Sequence, residues 1–240
     1  MSTEQYRISI GQDRVNAIFT DAMARMYGLV ALGIVTTGAA IWVGDMLGVG
    51  NIIFSFGWIG MLIMFGIMFG MLMGANAVVA RGNTGLGTAL YLGFTGLEGF
   101  FLSFILTRFT TGTIGIAFVL TAGMFIAMSV VGMTTKRDLS KLGPMLLIGL
   151  IGVIVVSLIN MLLLQSSMLF LLINIVLLPI FLALTVWETK QMKELAQDAA
   201  MRGDAQVANQ VAVIGSIGLY LNALNIFIIL LNLLGFASDD

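Results

Sequence analysis

The sequence predicts an all-α integral membrane protein with seven transmembrane helices. Of its 240 residues, 59% are hydrophobic and only 10% are charged, and the mean hydropathy is +1.06. Soluble domains carry about 25% charged residues. The chain also contains several uncharged runs that reach the roughly 20 residues needed to cross the hydrocarbon core. We therefore expect the lipid bilayer to be the main partner of this chain.

The residue types that are missing from the sequence limit the classes of function that the protein can have. The chain has no His and no Cys, so zinc sites, haem ligands and thiol nucleophiles of the usual kinds are excluded. The net charge of −1 offers no basic patch for a nucleic acid. We expect neither an enzyme nor a cofactor.

Charged residues divide the chain into its predicted spans. A polar cytoplasmic tail is expected over residues 1–24, followed by one seven-helix domain over 25–240. The uncharged run from Leu142 to Trp187 is too long for one span, and the polar Gln165-Ser166-Ser167 is its natural turn. The predicted helices cover about 26–45, 56–79, 86–107, 111–134, 143–164, 168–188 and 208–235.

The positions of the basic residues predict the orientation. Cytoplasmic loops keep most Lys and Arg, and one side of the seven-helix arrangement receives all of them but Arg108. The residues on that side are Arg7, Arg14, Arg25, Arg81, Lys136, Arg137, Lys141, Lys190, Lys193 and Arg202. We expect the N-terminus inside and the C-terminus, with Ser238, Asp239 and Asp240, outside.

Glycine and tryptophan indicate packing and membrane boundaries. Small residues repeated on one stripe let helix backbones approach closely in lipid. Such stripes occur in the second and third spans, at Gly66, Gly70 and Gly74 and at Gly93, Gly96 and Gly99. Tight bundle packing is the expected role, with a glycine-lined pore or hinge as the alternative. The predicted helix ends carry Trp42, Trp58 and Trp187, as interfacial residues should.

Two acidic residues lie within or at the end of predicted spans. Glu98 falls near the middle of the third span, where a buried carboxyl faces a cavity or a partner rather than lipid. It is either a neutral carboxyl bonded to a neighbouring helix or an ion or proton site. Glu188 follows Trp187 at the predicted cytoplasmic end of the sixth span. It is either an exposed charge that pairs with Lys190 or Lys193, or part of an ion pathway.

The segment from Thr121 to Asn160 carries a family resemblance. It reads TAGMFIAMSVVGMTTKRDLSKLGPMLLIGLIGVIVVSLIN and resembles the Bax inhibitor family, in its bacterial YccA-like branch. Lys136, Arg137 and Asp138 form the centre of the motif. Two later segments agree with the family, Trp187-Glu188-Thr189 and Leu219-Tyr220-Leu221-Asn222 through Asn225. The basic loop residues fix topology and contact anionic lipid, or they form a docking site for a partner.

The resemblance implies a seven-helix bundle in the inner membrane with facing acidic residues in its sixth and seventh helices. In relatives proposed to leak calcium, this carboxylate pair shares protons and gates the pathway by pH. Here Glu188 stands in the place of the family's aspartate, and Asn222 stands in the place of the second acidic residue. Because an amide does not ionise, the resemblance implies weakened or altered pH gating.

Two functions follow from the resemblance. The first is a cation leak pathway, with Glu98 and Glu188 as candidate ligands for calcium, which prefers oxygen. The second is a non-conducting regulator of an FtsH-type membrane protease, with residues Met1 to Ala24 as the cytoplasmic handle. A retinal receptor is excluded because the seventh span has no lysine, and intramembrane proteolysis because the spans have no His and no pair of aspartates.

Overall fold

The computed structural model describes residues 3–48, 55 and 57–238, with side chains from residue 11 to residue 237 of these ranges. Within them every secondary-structure element is helical, and seven helices are long and apolar enough to span a membrane. The helices are α1 (Thr3–Leu47), α2 (Gly57–Ala80), α3 (Thr84–Leu106), α4 (Thr111–Thr134), α5 (Leu142–Ile159), α6 (Ser167–Met201) and α7 (Ala205–Ser238). The predicted fold class and number of spans are confirmed. Asp239, Asp240 and most of the α1–α2 connection lie outside the described residues.

Helix α5 ends in a local cap that also starts α6. A π-helical turn, Asn160–Leu164, continues α5, and Gln165 closes it with a φ of 49°. The side chain of Asn160 accepts a hydrogen bond from the Ser166 backbone N–H and donates one to the Ser166 carbonyl. The predicted turn at Gln165 to Ser167 is therefore confirmed.

Two helices are longer than the sequence predicts. Helix α6 continues to Met201 instead of ending at residue 188, and α1 begins at Thr3 instead of residue 26. The prediction used charges as helix ends, but Glu, Lys, Gln and Ala are strong helix formers in water. These segments therefore remain helical after their apolar runs end. The assignment of Trp187 to a helix end is wrong, because Trp187 lies inside α6.

The helices group into two compact units. The first contains the described residues of Met1–Arg108 and Met192–Tyr220, and the second those of Phe109–Gln191 and Leu221–Asp240. In the first unit, α3 packs against α1 and α2, with Met26, Tyr91 and Tyr220 almost fully buried. In the second unit, the buried face of α4 is Ala117, Thr121, Phe125, Ser129 and Gly132.

The glycine stripes behave differently in the two helices. In α3, Gly99 lies directly against the Thr37 carbonyl and Ala40 of α1, and a Cβ at Gly93 would lie 2.6 Å from Met71 Cε of α2. The expectation of close packing is correct there. In α2 it is wrong for Gly66 and Gly70, where an added Cβ would have no atom of another helix within 4 Å among the described residues.

Candidate functional site

In the second unit, a hydrogen bond connects Glu188 to Asn222. Asn222 Nδ2 of α7 donates a hydrogen bond to Glu188 Oε2 of α6 over 2.7 Å. Asn222 is buried and Glu188 is half-buried. The structure therefore brings together the two residues that the family resemblance assigns to the positions of an acidic pair.

This contact depends on the full length of α6. If the helix ended at residue 188, Glu188 would lie at the membrane interface, far from the middle of α7. Helix α6 instead continues to Met201, so Glu188 is an interior helix position. The interpretation of Glu188 as a charge at the end of a helix is thus wrong. Glu188 lies inside α6, and it contacts Asn222 from that interior position.

A second polar contact links the same helices and was not anticipated from the sequence. Asn232 Nδ2 of α7 donates to Asn174 Oδ1 of α6 over 3.3 Å. The Nδ2 group of the buried Asn174 donates to the Phe170 carbonyl over 2.8 Å. Position 174 precedes 188 while 232 follows 222, so the helices run antiparallel in this unit. The only sequence signal was an amide within each of two apolar runs.

Glu98 lies in the first unit, on the buried face of α3. Only 8% of the Glu98 surface is exposed, which confirms that Glu98 faces protein rather than lipid. One turn away is the fully buried Thr95, whose carbonyl accepts a hydrogen bond from Thr37 Oγ1 of α1. The carboxyl therefore lies on the same helix face as a polar contact between α1 and α3.

The Tyr220 hydroxyl belongs to this hydroxyl cluster of the first unit. It lies 2.6 Å from Thr37 Oγ1, and the rings of Tyr91 and Phe94 pack edge-on against its ring. Tyr91 donates to the Leu29 carbonyl over 3.2 Å. Because the buried hydroxyls are hydrogen-bonded, the cluster is a stable polar link between helices of the first unit.

The basic loop of the family motif is attached to α6. Lys190 Nζ donates to the Arg137 carbonyl. Asp138 Oδ1 accepts from the Ser140 backbone N–H over 2.9 Å. This backbone hydrogen bond, helped by the Ser140 side chain and the charge of Lys190, holds the pKa of Asp138 below its usual range. The α4–α5 loop is thereby fixed to the helix that carries Glu188.

Two further motif residues pack against glycines, and a third forms a hydrogen bond within its own helix. The ring of Trp187 lies against Gly143, where any side chain would overlap it, and Thr189 lies against Gly132. Asn225 Nδ2 donates to the Leu221 carbonyl of its own helix over 2.7 Å. Thr189 and Asn225 thus lie in the same unit as Glu188. The Asn225 amide donates its hydrogen bond within α7 and not to another helix.

The described residues do not form a dedicated metal centre. Within them, His, Cys, Asp and Glu side chains never gather in a group of three that could hold a metal ion. A stable calcium site takes six to eight oxygen ligands. Any cation that meets Glu188 or Glu98 would therefore encounter isolated carboxyls among amide, hydroxyl and carbonyl groups.

These features define a polytopic α-helical membrane protein with polar contacts between its helices. The chain matches the model of the family described as "Inhibitor of apoptosis-promoting Bax1" over residues 20–239. It belongs to the Bax inhibitor family and is a multi-pass inner-membrane protein.

Bacterial relatives match nearly the whole chain. The inner membrane protein YbhL of Escherichia coli K12 is 32% identical over 217 residues, which cover 89% of this chain and 90% of YbhL. An uncharacterized protein of Borreliella burgdorferi is 34% identical over 219 residues, covering 91% of this chain and 93% of its own length. An uncharacterized protein of Rickettsia prowazekii is 33% identical over 223 residues, 90% of each chain. The similarity thus extends over the whole membrane domain.

Proposed function

We propose that this protein is a non-enzymatic cation leak pathway, with calcium as the cation, in which the hydrogen bond between Glu188 and Asn222 holds the pathway closed. The observation that supports the proposal is the 2.7 Å contact between these side chains. It links α6 to α7 through a carboxyl that is only half-buried. A carboxyl inside a membrane span is costly and is normally retained for a function.

The chemistry of the pair suggests how a cation would act on it. Calcium is a hard ion that binds carboxylate oxygen, and Glu188 Oε2 is the atom that accepts from Asn222. A cation bound there would compete with the amide N–H for the same oxygen. Cation entry and separation of α6 from α7 would therefore be coupled.

Protonation would act on the same hydrogen bond, but weakly. An ionised Glu188 accepts a charge-assisted bond, which is stronger than the bond to a neutral carboxyl. Asn222 keeps its amide in either case and has no charge to change. The closed contact would loosen at low pH without being lost, so we expect a shallow response to pH.

Calcium flux into dye-loaded liposomes tests the proposal. We expect the purified wild-type protein to conduct calcium. Glu188→Gln should reduce the flux, because its amide oxygen still accepts the hydrogen bond from Asn222 while the charge that attracts the cation is lost. Glu194→Gln is the matched control, because it removes an exposed carboxyl from the same helix. Absence of flux through the wild-type protein would contradict the proposal.

A second candidate function is regulation of an FtsH-type membrane protease without conduction. It is favoured by α1, which is already helical from Thr3, well before its apolar segment. The described side chains of residues 11–14 are exposed on this extension. A preformed polar helix would bind a partner without the cost of ordering. Loss of co-purification with the protease after deletion of residues 3–14, with calcium flux absent throughout, would support this alternative.

A further inference from the structure

The loop between α4 and α5 presents an exposed positive charge. Its charged side chains, all exposed, are Lys136, Arg137, Asp138 and Lys141. The carboxylate of Asp138 accepts a hydrogen bond from the Ser140 backbone N–H and interacts with the charge of Lys190 on α6. In the part of the chain that the structure describes, no ion pair joins the three basic side chains of the loop to a carboxylate. Their charge is therefore available to an anion outside the protein.

Helix α6 holds this loop near both of its ends. At the start of the loop, Lys190 Nζ donates a hydrogen bond to the Arg137 carbonyl. Just beyond its end, the Trp187 ring lies against Gly143, where any side chain would overlap it. The basic side chains thus extend from a backbone that is already in place. A ligand that binds them does not have to order the loop, which lowers the cost of binding.

An exposed apolar surface begins one turn after the loop. Helix α5 starts at Leu142, and on it Met145 is 62% and Ile148 is 71% exposed. Residues three apart lie on the same side of a helix. Only 6% of the span from Leu142 to Leu164 is buried by protein. Because α5 spans the membrane, lipid acyl chains must cover this face.

The order of these groups matches the chemistry of a phospholipid. Lys and Arg at a membrane surface attract anionic lipids, which are concentrated in the cytoplasmic leaflet. The loop lies on the side that the charge pattern predicts to be cytoplasmic. The guanidinium of an Arg can bind two oxygens of one phosphate group. A free phosphate ion would use the basic side chains alone, whereas a phospholipid also uses the apolar face of α5.

We propose that Lys136, Arg137 and Lys141 bind the phosphate of one anionic phospholipid, with its acyl chains along the exposed face of α5 at Met145 and Ile148. This site is independent of ion conduction, because it follows from the loop and α5 alone. It differs from a general attraction to anionic lipid in that the loop is fixed against α6. A bound lipid would also stabilise the loop against the helix that carries Glu188.

Native mass spectrometry of the purified full-length protein, titrated with phosphatidylglycerol, tests the site. Phosphatidylcholine with the same acyl chains is the neutral comparison. We expect the first phosphatidylglycerol to bind more tightly than the first phosphatidylcholine. Lys136→Gln, Arg137→Gln and Lys141→Gln should each weaken phosphatidylglycerol binding by about fivefold, the contribution of one basic residue near a membrane surface. Binding of phosphatidylcholine should not change.

Two further variants protect the test against effects on folding. Asp138→Asn keeps every basic residue and removes a negative charge, so it should tighten phosphatidylglycerol binding by roughly twofold to fivefold. Arg81→Gln is the matched control, because it removes an exposed basic residue from a different loop on the same predicted side. It should leave binding unchanged.

Three results would overturn the proposal. The first is equal binding of the two lipids to the wild-type protein. The second is an equal loss from Arg81→Gln and Lys141→Gln, which would show that general surface charge and not a site attracts the lipid. The third is displacement of phosphatidylglycerol by inorganic phosphate at the same concentration, because the face of α5 would then contribute nothing.

Discussion

Asn222 Nδ2 and Glu188 Oε2 lie 2.7 Å apart, so an amide and a carboxyl form the contact that the family resemblance assigns to two carboxyls. The difference matters because two neighbouring carboxyls titrate as one coupled pair. A carboxyl next to an amide keeps its hydrogen bond whether or not it is charged. The two helices are therefore linked by a contact that acid weakens but does not abolish.

The orientation of the chain is the first prediction. The excess of Lys and Arg on one side predicts the N-terminus in the cytoplasm and the C-terminus outside. Reporter fusions to each terminus, read for cytoplasmic and external activity, measure it. Both termini reporting from the same side would contradict this orientation and the odd number of spans.

Removal of the Tyr220 hydroxyl should destabilise the first unit. Thr37 Oγ1 has one proton and lies within bonding distance of the Gly33 and Thr95 carbonyls, so Tyr220 is the donor in their 2.6 Å contact. Tyr220→Phe keeps the ring packing and loses this bond. We expect a loss of about 0.5–1.5 kcal/mol in the free energy of unfolding.

Tyr27→Phe is the control for that change. The buried Tyr27 hydroxyl has no hydrogen-bond partner within the described residues. Its removal should therefore be neutral or slightly stabilising in the same unfolding assay. Equal losses from the two substitutions would show that the bond to Thr37 is not the source of stability.

Glycine substitutions should separate contact positions from lipid-facing ones. In Gly132→Ala the new methyl group would meet Thr189 and the Val186 carbonyl, and backbone cannot move aside easily. We expect a cost of about 1–3 kcal/mol. Gly70→Ala, with no atoms within 4 Å, should cost nothing and gain some helix stability. Unfolding midpoints of the two variants in detergent provide the measurement.

Asp138 should make the basic loop sensitive to acid. Its pKa is lowered in the folded protein, so its stabilising contribution is present above the pKa of the unfolded chain, about 4. The contribution is lost as the pH falls through the lower, folded pKa. Asp138→Asn keeps an acceptor but has no charge to lose.

The measurement for Asp138 is the thermal midpoint of wild type and Asp138→Asn between pH 6 and pH 3. Wild type should be the more stable protein at pH 6, and the difference should shrink as the solution is acidified. The contribution is small because the side chain is exposed. A difference that stays constant across this range would exclude Asp138 as its source.

The apolar runs were sufficient to predict the number and approximate position of the helices, because a span requires a length of hydrocarbon-soluble sequence. They could not predict the end of α6 at Met201, since a polar helix outside the bilayer leaves no hydrophobic signal. The spacing of Gly66 and Gly70 also led to a wrong prediction of close packing, because the same spacing occurs both at helix contacts and on faces without a neighbouring helix. Asn174 and Asn232 were missed because two amides carry no periodic pattern.

The Glu188 contact was predictable only through the resemblance. The charge pattern alone placed Glu188 at a helix end, and the matched motif placed it opposite Asn222. Glu98 was different, since a single carboxyl in an apolar run is enough to predict burial. Pairwise contacts between helices depend on register and rotation, which one sequence does not reveal.

The pH dependence of calcium flux in liposomes, compared between wild type and Asn222→Asp, tests the central claim most directly. The account predicts a shallow response for wild type, because only Glu188 can change charge in this pair. Asn222→Asp should give a steeper response, since two carboxyls at this distance cannot both ionise at low cost and titrate together. Asn225→Asp, which adds a carboxyl one turn away on the same helix, should not reproduce that change. A steep wild-type response that survives Glu188→Gln would contradict the account and place the pH-sensitive group elsewhere, with Glu98 the first residue to examine.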